Sequence, residues 1–364
     1  MRLTLRELRR RPGRFLPVGL AMTLLVVLLV VLGGFLDGLE LNQTGAFRAQ
    51  GERLWVIDDG AELQLGRSLL DEDVAETVAG VDGVAEIGGI ASFVTTGTVP
   101  DSGEVVDLAV FGYETGTEVP PDPPGAGEAV LDAQLSRLTT GEVGDELRIG
   151  PGNEPVTITA IADDVSQGAV TAWLDLDAWR ELQRSAAPQA ALPPGTVQAL
   201  VVTPAEGTDP VTLAALIDEA TGSTTTVDLA GLVDGQPVVA QQSATFQGII
   251  GITFVVVLLV VALFFALLIL ERARLYAVLK AIGGRSRDLV AGVIVQALVI
   301  AVAALVVGGL ASVAIVAALP ADLPVRLEPQ RLATIAVATL LTSVLGVALV
   351  LRRILRIDPA RAIG

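Results

Sequence analysis

Cysteine and histidine are both absent from the 364 residues, and lysine occurs once, at Lys280. Without cysteine there is no disulfide framework and no thiolate to serve as nucleophile or metal ligand. Without histidine the commonest general base is missing as well, and with it most metal sites. Ala281 follows the single lysine, so no Gly-x-x-x-x-Gly-Lys-Ser/Thr loop exists, and the chain is not expected to hydrolyse ATP by itself. Charge is scarce too: charged residues make up 18% of the chain against 52% hydrophobic, and mean hydropathy is +0.63, too apolar for an ordinary soluble domain.

The apolar excess collects in four runs, residues 16–35, 249–270, 289–319 and 332–351, none of which contains Asp, Glu, Lys or Arg. Each has at least the roughly 20 residues that a helix needs to cross about 30 Å of hydrocarbon. They are expected to be transmembrane helices. The third is longer than a span requires, so tilting or bending at Gly308-Gly309 is expected. A stripe of small residues in the same run, Gly308-x-x-x-Ser312 with Gly309, suits close helix packing.

The net charge of −17 conceals a segregation along the chain. Arginines dominate before the first run (Arg2, Arg6, Arg9, Arg10, Arg11, Arg14), between the second and third, and after the fourth (Arg352, Arg353, Arg356, Arg361). Between the first and second runs the balance reverses, with 35 acids and 7 arginines in residues 37–247. The positive-inside bias then places both termini and the 271–288 loop in the cytoplasm and residues 37–247 outside. A cleaved signal peptide is the rival reading of residues 1–36, but the apolar run is too long and no small-x-small site precedes Asp37-Gly38-Leu39-Glu40. The sequon Asn42-Gln43-Thr44 is read as chance.

These features divide the chain into a cytoplasmic N-terminus (1–15), a first span (16–36), an extracytoplasmic stalk and domain (37–247), a second span (248–270), a cytoplasmic loop (271–288), a third span (289–319), a short external loop (320–331), a fourth span (332–351) and a cytoplasmic tail (352–364). Within 37–247 a helical stalk is expected to about residue 50. Alternating or β-branched runs at 54–57, 105–111, 154–161 and 196–203 read as strands. Helices are expected at 70–79 after Ser68, at 176–185 after Asp175, and at 211–221. The fold class is therefore membrane α-helical, with four transmembrane helices and an α+β extracytoplasmic domain. A proline-rich stretch, 119–125, is expected to loop between the halves of that domain. Its acidic surplus reads as solvated surface rather than a face for cationic ligands, and Trp55, Trp173 and Trp179 read as core or rim aromatics rather than a binding cage.

The cytoplasmic loop places Leu275, Val278, Leu279 and Ile282 at helical spacing with Arg274 and Lys280 beside them, and ends in Gly283-Gly284, which suits a helix C-cap. Such a short amphipathic helix fits either of two surroundings, the anionic membrane surface or a groove on a cytoplasmic partner.

The same loop resembles the Arg-x-x-Glu-x-x-x-Leu-Lys-Ala-Ile-Gly-Ala-Ser signature of FtsX-like permease domains, in the version carried by MacB, DevC and HrtB proteins. Arg272 and Leu279-Lys280-Ala281-Ile282-Gly283 match it, and Tyr276 resembles a tyrosine of DevC-like members. The ending Ile357-Asp358-Pro359-Ala360-Arg361-Ala362 is similar to that family's terminal Ile-x-Pro-x-x-Ala. Leu5-Arg6-x-Leu8 with Pro12 resembles its opening. Gly127-Glu128-Ala129-Val130-Leu131-Asp132, Val143-Gly144-Asp145 and residues 156–161 resemble the MacB-type periplasmic core. The sequence departs from the pattern at Leu275, where an acid is usual, and at Gly284-Arg285, where Ala-Ser is usual, which bears on which ATPase is accepted.

The resemblance implies a permease or mechanotransmission subunit of an ABC transporter, exporting or extracting an amphiphile such as haem, a lipid, a glycolipid or a hydrophobic antibiotic. The alternative it implies is an FtsX-like signal transmitter that activates a cell-wall hydrolase without transport. Residues Arg274, Leu275, Tyr276, Val278, Leu279, Lys280, Ala281, Ile282 and Gly283 would form the coupling helix against the ATPase. Implied partners are two copies of a cytoplasmic ABC ATPase, a second copy of this chain and membrane lipid, with no nucleic acid. No cofactor is expected in the chain itself, since ATP-Mg would sit on the ATPase. Substrate-contacting candidates are Glu40 and Met22, and Tyr113 and Tyr276 join them as conceivable haem-iron ligands. The spans' lack of charge leaves no ion relay of the secondary-transporter kind.

Overall fold

The computed structural model describes residues 13, 15–99, 103–116, 122–135, 141–271, 286–320 and 323–354, without side chains at 190, 286–289 and 351–354. The chain divides into two compact units. One comprises residues 1–38 and 243–364, and the other residues 39–242.

The first unit is built from helices. Helix α1 is Leu16–Arg48, whose residues from Leu39 onward belong to the second unit. Among the described residues four helices are long and apolar enough to cross a membrane: α1 and three that follow the α+β domain, Pro237–Glu271, Ser286–Ala318 and Pro329–Ile354. The Pro237–Glu271 and Ser286–Ala318 helices are apolar on all sides, whereas Pro329–Ile354 is more sided and the far end of α1 is polar. Leu20, Leu24 and Leu28 point outward at four-residue spacing, as do Leu341, Leu345 and Leu349. The buried stripes mix large side chains such as Met22, Leu29, Phe265 and Ile300 with small ones. Ala297, Ala301, Ala304 and Ser312 line one helix, and Thr339, Ser343 and Val347 another. Among lipid chains burial of apolar area gives no net drive between helices, so close backbone approach has to supply the cohesion. Gly308 provides such an approach: a Cβ there would stand 2.8 Å from Val26 Cγ1 and 3.1 Å from the Thr23 carbonyl of α1. Gly309 has nothing within 4 Å of that position, so of the expected small-residue pair only Gly308 lies at a helix contact.

The second unit is an α+β domain. In chain order its further elements are β1 Leu54–Asp58, α2 Glu72–Ala79, β2 Val84–Thr98, β3 Val105–Tyr113, β4 Glu128–Asp132, β5 Glu146–Ile149, β6 Glu154–Ala162, β7 Val170–Asp175, α3 Leu176–Ala186, β8 Ala199–Pro204, α4 Pro210–Thr221, β9 Thr224–Val227 and α5 Leu229–Asp234. The three later apolar helices are accordingly α6, α7 and α8. Among the described residues nine strands join one sheet in the order β3-β7-β4-β6-β5-β2-β8-β1-β9, and β3 also pairs with β2, which closes six of the strands into a ring. The fifteen-residue β2 makes this possible: its first half pairs with β8 and its second half with β3 and β5.

Both faces of the sheet are covered. Leu54 and Val56 enter one core with Val110, Leu131 and Trp179, while Trp55 and Ile57 enter another with Phe111, Val130 and Trp173. Side chains alternate across a strand, so burial on both faces calls for continuous apolar runs rather than an alternating pattern. The three tryptophans are fully buried core residues, as read from the sequence.

Helix starts follow side-chain caps. Asp175 accepts from the backbone N–H groups of Asp177 and Ala178 at the head of α3, as expected. At α2 the expected start after Ser68 is wrong. Asp71 is the cap, because Leu70 pairs as a β-bridge with Val197 and Ser68 accepts from the Asp58 N–H instead. The 119–125 loop lies partly outside the described residues.

Candidate functional site

Helix α1 carries Gly33-Gly34-Phe35-Leu36-Asp37-Gly38, which sets Gly34 and Gly38 four residues apart on one face. Residues 323–327, which lead into α8, lie directly on that face. The Arg326 N–H donates to the Gly34 carbonyl at 2.8 Å. A Cβ at Gly34 would come within 2.7 Å of the Arg326 carbonyl oxygen, and one at Gly38 would overlap the Pro324 carbonyl. Beside this contact Arg331 of α8 donates from Nε to Asp37 Oδ1 at 2.9 Å and Oδ2 at 3.0 Å, with Nη2 also on Oδ1. The Asp37 side chain is 11% exposed and that of Arg331 31%, so the pair is largely withdrawn from water. A planar guanidinium facing both oxygens of a carboxylate fixes direction as well as distance.

The later turns of α1, within the α+β domain, are held by a second set of contacts. The loop between β6 and β7 crosses the helix at Gly45, where a Cβ would lie 2.6 Å from the Asp164 carbonyl oxygen and 2.9 Å from the Ser166 nitrogen. Asp164 takes a left-handed φ of 61° and Gly168 one of 73° to make the turn. The Ala46 N–H donates to the Ser166 carbonyl at 2.9 Å, and the Gly168 N–H donates to the Asn42 carbonyl at 2.7 Å. Asn42 and Ala46 are four apart, so the loop bonds the two groups that face one another along the helix ladder. Buried Asp132 secures the loop: one carboxylate oxygen takes the Ser166 hydroxyl and the other accepts the Gln134 N–H at 3.1 Å. The Gln134 amide contacts Asn42 Oδ1. Phe47 then packs edge-on against Trp55, with ring centroids 5.4 Å apart.

Of the residues singled out from sequence, Glu40 accepts from Arg48 Nη2 at 2.8 Å, and Thr44 between them accepts from Arg48 Nε and donates to the Glu40 carbonyl. Met22 is buried in the helical unit among Val18, Val26 and Phe265. Tyr113 is buried edge-on to Trp173. Burial, reinforced by the negative charges of Asp122 and Asp175, raises its phenol well above the usual value. Glu40 and Tyr113 belong to the α+β unit and Met22 to the helical one. Among the described residues no group of three or more Asp and Glu is arranged to hold a metal ion. Thr44 is fully buried and Asn42 is engaged by Gln134, so the sequon is a structural segment. Residues 272–285, which include all nine coupling-helix candidates from Arg274 to Gly283, lie outside the described residues. Sequence reasoning passed over Asp37, Gly45, Ser166 and Arg331. The one signal available was an acid between glycines at the end of an uncharged run.

Four helices fit to cross a membrane, with a MacB-like α+β domain inserted between the first and second, define a membrane-embedded permease. Two family models match the sequence: the MacB-like periplasmic core domain over residues 19–220 and the FtsX-like permease C-terminal domain over residues 248–359. The chain belongs to the FtsX/MacB-type family of ABC transporter permeases. Uncharacterized ABC transporter permeases of Mycobacterium bovis and Mycobacterium tuberculosis are 45% identical to it over 98 residues, 26% of this chain. The match spans 27% of the length of those relatives. Among solved structures, the extracellular domain of the noncanonic ABC-type transporter YknZ from Gram-positive bacteria is 14% identical with a TM-score of 0.33, covering 48% of this chain and 98% of that one. The periplasmic region of MacB from Actinobacillus actinomycetemcomitans is 10% identical with a TM-score of 0.34, covering 50% and 92%.

Proposed function

We propose that this chain is the force-transmitting permease subunit of an ABC exporter or extractor of an amphiphilic substrate, powered by a separate cytoplasmic ATPase. Two copies of the chain would pair with two ATPase subunits in the cell membrane. Both termini and the 271–288 loop would face the cytoplasm, and the α+β domain would face outward, as the arginine distribution favours. Closure of the ATPases on ATP-Mg would push the coupling helix around Leu279 and Lys280.

The observation that carries this reading is α1. It is one unbroken helix, Leu16–Arg48, held in the helical unit by Asp37–Arg331 and the glycine face, and held in the α+β domain by the 163–168 loop at Gly45. In this reading a displacement at one set of contacts would pass along α1 to the other.

The test is coexpression with an ABC ATPase encoded next to this chain's gene. The chain is expected to copurify with that ATPase, and Leu279→Glu with Lys280→Glu is expected to abolish copurification while leaving the purified chain's melting temperature unchanged. Undiminished copurification of the double variant would reject the coupling role.

A further inference from the structure

In the α+β domain the chain turns at residues 61–64 with both central residues left-handed, Glu62 at φ 51° and Leu63 at φ 58°. The Gln64 N–H closes the turn on the Ala61 carbonyl at 3.0 Å. Glycine and asparagine take such a pair of positions at little cost, whereas Glu-Leu sets a Cβ against the backbone at both. No other adjacent pair of non-glycine residues among the described residues has positive φ. The Glu62 side chain does little to hold this conformation, being 71% exposed and paired with Arg67 of the same segment. Buried Ala61 and Leu65 anchor the ends of the turn in the core. Its middle is held from elsewhere. Gln236 donates from Nε2 to the Leu63 carbonyl at 2.8 Å and to the Leu232 carbonyl at 3.2 Å, and a Cβ at Gly235 would overlap Leu63 Cδ1.

Residues 235–236 are the corner between α5 and α6. The Gly235 N–H donates to the Gly231 carbonyl at 3.0 Å to end α5, and the Gln236 carbonyl accepts the Ala240 N–H to begin α6. Pro237 follows, and a residue before proline is biased away from helical geometry, so the two helices do not fuse into one. The domain thus meets its two long helices differently. The end of α1 is bonded by the 163–168 loop at Asn42 and Ala46, whereas α6 starts at a corner linked to a turn that keeps two residues in a conformation they resist. We propose that the 61–64 turn is a strained catch and the α5–α6 corner a hinge. Closed, the catch holds the corner through Gln236. Release of the Leu63 carbonyl lets Glu62 and Leu63 return to negative φ, and the strain relieved offsets part of the lost hydrogen bond, so the closed and open forms lie close in free energy. The start of α6 then swings on the domain while the end of α1 stays fixed. The inference goes beyond the proposed function and does not depend on it, because catch and corner lie wholly within residues 39–242.

Native-state hydrogen exchange of the full chain in detergent tests this at the amides of Gln64, Gly235 and Gln236, whose bonds to the Ala61, Gly231 and Val233 carbonyls close the turn and the corner. All three are expected to exchange through one local opening, with protection about tenfold or more below that of Ala46 on α1 and of the β1 amides. Glu62→Gly removes the strain at one position and should raise protection at all three about fivefold, Gly235 and Gln236 included although they lie far along the chain. Glu62→Gln, which loses the Arg67 pair but keeps the left-handed Cβ, should change none of them. Asn153→Gly, at another left-handed residue with φ 52°, should change none either. Gln236→Ala unhooks the catch and should lower protection at the corner, and in that background Glu62→Gly should no longer raise it. The proposal is overturned if Glu62→Gly acts at Gln64 alone, if it acts equally with and without Gln236, or if Gln236→Ala leaves the corner's protection unchanged. It is overturned equally if the three amides exchange only together with β1, by global unfolding. Melting temperatures of all variants separate a local change from a loss of fold.

Discussion

Arg331, in the first turn of α8, grips both carboxylate oxygens of Asp37 on α1, across a separation of 294 positions in the chain. The pair lies beside the Gly34 and Gly38 contacts, so ion pairing holds α1 to α8 and backbone packing holds it to the segment that leads into α8. Its worth depends on both partners. An Asp37 left without its guanidinium would be a largely buried charge with nothing to offset its lost hydration.

Asp37→Asn and Arg331→Met are each expected to lower the stability of the helical unit by about 2 kcal/mol or more, since each strands one partner. The double variant should lose clearly less than the sum of the two. Thermal unfolding of the purified chain in detergent reads the cycle. Arg331→Lys should rescue little, because an ammonium cannot span both oxygens in a plane.

Neighbouring glycines separate by what surrounds them. Gly38→Ala would drive a methyl into the Pro324 carbonyl, and about 2 kcal/mol of destabilisation is expected from such overpacking of backbone. Gly33→Ala meets only the Arg331 and Ile335 side chains at 3.4 Å, and Gly309→Ala meets nothing within 4 Å. Both should fold at near wild-type melting temperature, and helix propensity favours alanine over glycine at each.

In the α+β domain, Gly45→Ala and Asp132→Asn act on one loop from opposite sides. Hydrogen exchange should speed up at the amides of residues 163–168 in either variant, with the amides of β1 and β8 unchanged, because the loss is a local opening and not global unfolding. Equal acceleration across the sheet would show that the loop has no separate role in holding α1.

Tyr113 predicts an alkaline limit. Its folded-state value is raised, by burial first and then by Asp122 and Asp175, so the fold favours the neutral phenol. That stabilisation is complete below the ordinary tyrosine value of about 10 and is lost progressively as pH climbs above it toward the folded value. In a Tyr276→Phe chain, Tyr113 is the only tyrosine, and its tyrosinate absorbance should appear only together with unfolding. Tyr113→Phe should extend the folded range to higher pH.

How much of this was open to reading depends on how locally each feature is determined. The four spans were legible because hydrocarbon imposes a requirement on composition and length alone, which a run such as residues 249–270 meets without reference to the rest of the chain. Strands β1, β3 and β8 were legible because burial on both faces leaves apolar runs, β6 because buried Val156 and Ile158 alternate with exposed Thr157 and Thr159, and the start of α3 because Asp175 caps it locally. Strand β2 was not. It carries Gly88, Gly89 and Gly97, and glycine weakens a strand pattern; a Cβ at Gly89 would meet Val197 at 2.7 Å and one at Gly88 would run into Thr115, so these two glycines admit neighbours from other segments. The start of α2 went wrong for the same reason, since Leu70 is taken by Val197 from far along the chain.

By itself, then, the sequence determined the spans, the α+β character of the inserted domain and the absence of cysteine, histidine and a Walker lysine. Only the tertiary structure decided that Asp37 belongs with Arg331 and that Gly45 lies under the 163–168 loop. It also decided that Gln236 reaches the Leu63 carbonyl. Each of these depends on which distant segment is brought alongside, and a carboxylate or a glycine carries no mark of its eventual partner until packing supplies one.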